Sequence, residues 1–127
     1  MGIRRAYDPA MAPPGPVAEV VLINRLTGAR TAILPGKVDT GSDVTLIPIT
    51  VVDVLRPEVQ GTARVWGSTR TRVRCFTYHL AMSVEQYDLP LVSCMATHRD
   101  NVLLGCNVLN LFVLTLDGPN LTFTLER

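Results

Sequence analysis

The chain has 127 residues, 47% of them hydrophobic, 18% charged and 6% aromatic, a length that supports one compact domain with a single core. Twelve Lys and Arg against eleven Asp and Glu leave a formal charge of +1, too near balance for binding that runs mainly on phosphate contacts, so no nucleic-acid partner is expected. No run approaches the ~20 apolar residues of a spanning helix, so no membrane span is expected either.

Met1 to Pro16 contains Pro9, Pro13, Pro14 and Pro16 with Gly15, a composition that predicts a flexible, Pro-rich arm over 1–16, with the packed domain running from 17 to 127. Arg4 and Arg5 lead into Tyr7-Asp8-Pro9 rather than an apolar stretch, so the pattern of a secretory signal is missing. Val17 to Ile23 is apolar and rich in β-branched residues, Thr27-Gly28 is a turn signal, and Arg30 to Leu34 resumes the strand pattern, which predicts a hairpin ended by Pro35-Gly36. Ile49 to Leu55 reads as one or two helical turns, with Pro48 near the first helical position and Arg56-Pro57 closing it. Thr62 to Val73 reads as a hairpin around Trp66-Gly67-Ser68, continued by a long strand from Arg72 to Val84. Leu89 to Ala96 is a further strand. Val102-Leu103-Leu104 is a short apolar run ending at Gly105, and Asn107 to Leu111 reads as a short helix that Asn107 caps. The segments 111–116 and 121–125, joined by Asp117-Gly118-Pro119, form the clearest hairpin. Many short strands with frequent turn signals imply an all-β sandwich or barrel.

Between the apolar strands that end at Val38 and begin at Val44 lies Asp39-Thr40-Gly41-Ser42-Asp43. A carboxylate in such a turn, with Gly two positions later, sits close to exposed backbone N–H groups, and hydrogen bonds to the charged form favour ionisation. Taken alone, a D-x-G tripeptide is also a common Asx-type turn between strands.

The context Val38 to Pro48, answered late in the chain by Leu103-Leu104-Gly105, resembles the retropepsin-like aspartic proteases. The resemblance covers most of Val17 to Glu126. It implies an all-β, retropepsin-like acid-protease barrel with a flap hairpin and a short C-terminal helix. It further implies catalysis by Asp39 and an inter-subunit hydrogen bond from the Thr40 hydroxyl. Thr40, Gly41 and Ser42 would complete the active loop, with substrate-backbone contact around Gly41 and Asp43. Trp66, Gly67 and Ser68 would lie at or near the flap tip over the substrate, and Leu103, Leu104 and Gly105 would support the loop. Peptide hydrolysis of this kind needs two carboxyl groups sharing one proton, and D-T-G occurs once here, so the resemblance implies a homodimer acting on peptide or protein substrates without metal or cofactor. The C-terminal hairpin is then expected to supply most of the dimer sheet, with the N-terminal arm outside it. Where many relatives carry Arg after the apolar-apolar-Gly segment, this chain has Cys106, followed by Asn107. The usual Arg partner of Asp43 is absent, and Arg99 or another basic residue is the candidate substitute. A non-catalytic peptide-binding or dimerisation module on the same fold is the alternative reading.

The remaining residues carry less. Cys75, Cys94 and Cys106 are odd in number and form no C-x-x-C pair, which suggests neither a disulfide framework nor zinc but reduced thiols near a core, and with them a cytoplasmic location. His79 and His98 stand without clustered ligands. Arg70, Arg72 and Arg74 alternate and so share one strand face, either a guarded edge or a surface for acidic partners. No Ser sits in G-x-S-x-G, and the aspartyl-phosphate pattern lacks its Lys between Asp and Thr.

Overall fold

The computed structural model describes residues 2–66 and 72–127; side chains are described outside residues 65–74. Among the described residues, ten strands and two short helices follow one another as β1 (Ile3–Ala6), β2 (Val17–Ile23), β3 (Leu34–Val38), β4 (Thr45–Pro48), α1 (Ile49–Leu55), β5 (Val59–Trp66), β6 (Arg72–Val84), β7 (Tyr87–Thr97), β8 (Val102–Leu104), α2 (Cys106–Leu109), β9 (Val113–Asp117) and β10 (Thr122–Glu126). Seven strands form a sheet in the order β2-β3-β8-β4-β7-β6-β5, and pairing of β2 with β6 closes it into a barrel. The other three form a small sheet in the order β1-β10-β9. The all-β expectation holds, short C-terminal helix included.

The core follows from alternation along the strands. In β2, Ala18, Val20 and Leu22 point inward, and in β6 the alternate residues Tyr78, Leu80, Met82 and Val84 do the same. All of these but Tyr78 share one cluster with Ile47, Leu89, Val92, Val102, Leu104 and Val108 inside the barrel, with Phe123 and Leu125 of β10 joining the same core. Cys94 is wholly buried there, and burial pushes its thiol up to about 12, because a thiolate has no solvation in such a place.

Two expected boundaries shift for local reasons. Pro35 and Gly36 do not end the first hairpin; both lie within β3, which pairs with β2 from Val20↔Leu34 to Val17↔Lys37. Pairing of β3 with β8 begins only at Gly36↔Val102, so Pro35 needs no donor on that side. A Cβ on Gly36 would lie 2.5 Å from Val20 Cγ2 and 3.3 Å from Leu104 Cδ1, so the missing side chain is what lets β2 and β8 close on β3. Residues 31–33, expected in the strand, instead cross to β2 through Thr31, whose N–H donates to Leu22 O and whose hydroxyl accepts from Leu22 N–H. Buried Asn24 organises the turn: its Oδ1 accepts from Leu26 and Thr27 N–H while its Nδ2 donates to Leu55 O at the end of α1.

The arm expected outside the packed domain is a larger correction. Ile3–Ala6 pairs antiparallel with β10, from Ile3↔Leu125 to Ala6↔Thr122. Its prolines all follow residue 8, so these first positions keep the N–H groups that a ladder requires. Arg5 then ties the strand to the barrel, with Nε 2.6 Å from Glu85 Oε1 and Nη2 3.3 Å from Glu19 Oε2. Glu85 holds positive φ at the β6–β7 turn, and its Oε1 also accepts from Glu19 N–H.

Candidate active site

Asp39 follows β3 directly, and β4 begins at Thr45, so 39–44 is a loop between two strands. Those strands do not pair with each other; β8 lies between them, parallel to β3 and antiparallel to β4 at Leu46↔Leu103. The apolar-apolar-Gly segment thus sits directly behind the D-T-G loop, and Asp39 N–H donates to Leu104 O at 3.1 Å. Within the loop, Gly41 N–H donates to Asp39 Oδ1 at 3.0 Å, Ser42 N–H donates to Asp39 O, and the Ser42 hydroxyl donates to Val44 O at 2.7 Å. One carboxylate oxygen is therefore held by backbone while Asp39 stays half-buried at the surface.

From below, the chain after Leu104 locks the loop. Cys106 N–H donates to Ser42 O at 2.7 Å and Asn107 N–H donates to Asp43 O at 3.1 Å. A Cβ at Gly105 would run into the Val44 carbonyl and sit 2.9 Å from Ser42 O, so this glycine is required by close backbone approach. Fully buried Thr45 uses its hydroxyl both ways, accepting from Gly105 N–H at 3.1 Å and donating to Asn107 Oδ1 at 2.8 Å, while Asn107 Nδ2 donates to Ser93 O. Three side-chain atoms thus join β4, β7 and α2 behind the loop.

Thr45 and Asn107 are the positioning residues that the sequence reading missed. Asn107 was expected to cap the short helix; α2 begins one residue earlier, Gly105 occupies the cap position, and no side chain caps it. The available signal was a Thr two residues past Asp43 together with an Asn two past Gly105.

The remaining expected residues fall as follows. Thr40, Gly41 and Asp43 are exposed and Ser42 is half-buried, all on one loop. Leu103, Leu104 and Gly105 are buried behind it. Trp66 ends β5 opposite Arg72 of β6, and Gly67 and Ser68 lie outside the described residues. Arg72 and Arg74 fall on β6, with Arg74 in register with Arg64; Arg70 lies outside the described residues. In place of the expected Arg, the Cys106 thiol donates to Thr40 O at 3.3 Å. Among the described residues no cation pairs with Asp43, and Arg99 is engaged through its backbone N–H with Thr97 Oγ1 instead. A cleft of about 440 Å³ opens beside the loop, lined by Gly41, Ser42, Asp43, Val44, Leu46 and Met95, with Arg64, Cys75 and Thr97 completing it. Among the described residues no three metal-ligating side chains cluster, and no helix is long and apolar enough to cross a membrane.

A closed barrel whose D-T-G loop lies against an apolar-apolar-Gly strand and a short helix is a retropepsin-like fold, and solved structures of that kind superpose on this chain. The retropepsin-like aspartic protease of Rickettsia conorii matches over 98% of this chain and 90% of its own, with a TM-score of 0.66 and 13% identity. The simian foamy virus protease matches over 75% and 92% with a TM-score of 0.57 and 16% identity. The EIAV protease, in complex with the inhibitor HBY-793, matches over 76% and 86% with a TM-score of 0.58 and 15% identity. No family model and no curated protein sequence matches the chain. At these identities the likeness concerns the fold.

Proposed function

We propose that the protein is an aspartic endopeptidase, hydrolysing peptide bonds in extended polypeptides with a water activated by two Asp39 residues, one from each copy of a homodimer. The observation that carries the reading is the placement of Asp39: a half-buried carboxylate, one oxygen fixed by Gly41 N–H, on a loop braced by β8 and α2 and opening on a cleft. Two carboxyl groups brought together on a twofold axis cannot both ionise, so the pair holds one proton between them. The ionised member takes a proton from water as its oxygen attacks the scissile carbonyl carbon, and the protonated member supplies a proton to the carbonyl oxygen. The resulting gem-diol collapses as the leaving amine is protonated and the C–N bond breaks. The backbone at Gly41 and Asp43 would hold the peptide as an extended strand, and the apolar lining at Val44, Leu46 and Met95 would receive a substrate side chain. Cleavage of an unfolded protein at mildly acidic pH is the test. Asp39→Asn keeps the fold and loses cleavage, by about a thousandfold or more for removal of an essential acid-base group; an Asp39→Asn protein that cleaves as well as the parent refutes the reading.

One observation favours a second reading, a peptide-binding or dimerisation module without catalysis: Cys106 stands where the resemblance leads one to expect Arg, and among the described residues Asp43 has no cation. Titration with a hydroxyl-bearing mimic of the tetrahedral intermediate separates the two. Tight binding that depends on pH and on Asp39 requires a working carboxylate pair and eliminates the module.

A further inference from the structure

The cleft beside the Asp39 loop has an apolar floor and a charge at either end. Leu46 of β4 lies in register with Met95 of β7, and with Val44 they make the floor. Among the described residues, the charged groups lining the cleft are Asp43 and Arg64. Strand register sets these two apart. β4 and β7 run parallel, with Pro48 beside Thr97, so Asp43, which precedes β4, lies at the end where both strands enter the cleft. β6 runs antiparallel to β7 with Thr77 beside Met95, which carries Cys75 of the cleft wall toward Thr97. β5 pairs Ala63 with Cys75, and Arg64 is the next residue on, so it stands at the Thr97 end. β4 alone, from Thr45 to Pro48, spans roughly 10 Å at ~3.3 Å per residue. Arg64 is exposed, and among the described residues no carboxylate pairs with it, Asp43 included.

We infer that Arg64 selects an acidic side chain, glutamate above all, in the bound peptide. The inference rests on the endopeptidase reading or equally on its peptide-binding alternative, since both lay an extended peptide in this cleft. With the peptide backbone at Gly41 and Asp43, a side chain entering the cleft crosses Val44, Leu46 and Met95 before it meets Arg64. The methylenes of glutamate cover that floor while its carboxylate reaches the guanidinium, whose planar fork takes both carboxylate oxygens at once.

Other side chains use the cleft less fully. Leucine covers the floor and leaves Arg64 to water, and aspartate is one methylene short of the same reach. Lysine brings a like charge to Arg64. It could pair only by turning back to Asp43, on the loop where the peptide backbone already lies.

The test uses peptides that are apolar apart from a single Glu, Gln or Lys walked along the sequence. The parent protein is assayed for cleavage and the Asp39→Asn protein for binding by fluorescence anisotropy. At one fixed position, Glu is expected to raise kcat/KM about fivefold or more over Gln, with Lys below both, and dissociation constants are expected to follow the same order. Arg64→Gln levels the Glu and Gln peptides, and Arg64→Glu reverses the order in favour of Lys. Arg25→Glu, the same charge change at an exposed position on the turn after β2, leaves the order as it was. Raising the salt concentration shrinks the preference. A Glu preference that survives Arg64→Glu, or the absence of any such preference, overturns the inference, and Asp39-dependent cleavage without it leaves the endopeptidase reading standing. Glu-selective binding governed by Arg64 in a chain that cleaves nothing keeps the inference and overturns the endopeptidase reading instead.

Discussion

The Asp39 loop and the small β1-β10-β9 sheet are both held against the barrel, but by different physics. The loop is fixed by short hydrogen bonds among buried or half-buried atoms, centred on the Thr45 hydroxyl and on backbone that closes over Gly105. The small sheet is fixed by the apolar side chains of Phe123 and Leu125, which enter the core, and by the Arg5 guanidinium reaching Glu85 and Glu19. A buried polar bond specifies one geometry, because breaking it leaves atoms without water or partner. Apolar burial with a partly exposed ion pair gives cohesion while constraining position less. The region expected to do chemistry has the first kind of support, and the region expected to meet a partner has the second.

The sharpest way to break this contrast is at Gly105. Gly105→Ala drives a methyl group into the Val44 carbonyl, and because the obstacle is backbone it costs about 3 kcal/mol of stability with displacement of the Asp39 loop. Urea unfolding checks the first effect and loss of cleavage the second. Thr45→Val comes next. It retains the volume but strands Gly105 N–H and Asn107 Oδ1, for about 2 kcal/mol, while Thr45→Ser restores most of it. If Thr45→Val and Thr45→Ser are equally stable, the hydroxyl is not what holds the loop.

Arg5→Met tests the other region. The Glu85 side chain is only 2% exposed whereas Arg5 is 40% exposed, so loss of the cation is felt at Glu85, for about 1 kcal/mol after solvent screening. The change should shorten the hydrogen-exchange protection of Ile3–Ala6 and leave that of Asp39 and Gly41 unchanged. Glu85 holds the Arg5 guanidinium above its ordinary value. A raised basic group gives stability that is full below its ordinary value and lost only as pH climbs through the higher folded value, so this tie does not weaken through Arg5 in acid.

The smallest effect is at the β9–β10 turn. Hydrogen bonds from the Asn120 side chain and N–H hold the Asp117 carboxyl below its ordinary 3.8. A depressed carboxyl contributes stability present above 3.8 and lost as pH falls through the lower folded value. Asn120→Ala should therefore move the Asp117 titration, followed by NMR, upward toward 3.8, and the small loss of stability that accompanies it shows near neutrality and disappears in acid.

Much of this architecture was legible along the chain because its cause is local. Alternation in β2 and β6, Pro48 ahead of α1, the Asp117-Gly118-Pro119 turn and the motif pair at Asp39 and Leu103-Leu104-Gly105 each announce themselves within a few residues. Three things did not. β1 was hidden because prolines at 9–16 dominated the composition of the arm, whereas its pairing with β10 bridges more than a hundred residues of sequence. Pro35-Gly36 read as a stop because local rules cannot know that a strand from residue 102 onward packs onto that glycine. Asn107 read as a cap because the hydroxyl that claims it belongs to Thr45, far away along the chain.

By itself, then, the sequence determined that this is one small β domain with a single D-T-G and a glycine-ended apolar segment to answer it, since hydrophobic period, turn residues and short motifs are properties of neighbouring residues. Only the tertiary structure decided that β8 lies between the two strands flanking Asp39, that Thr45 and Asn107 brace the loop, and that Ile3–Ala6 belong to the fold. Each of those depends on which distant backbone donors and acceptors meet once the barrel closes, and a buried polar group takes whatever partner that closure brings within reach.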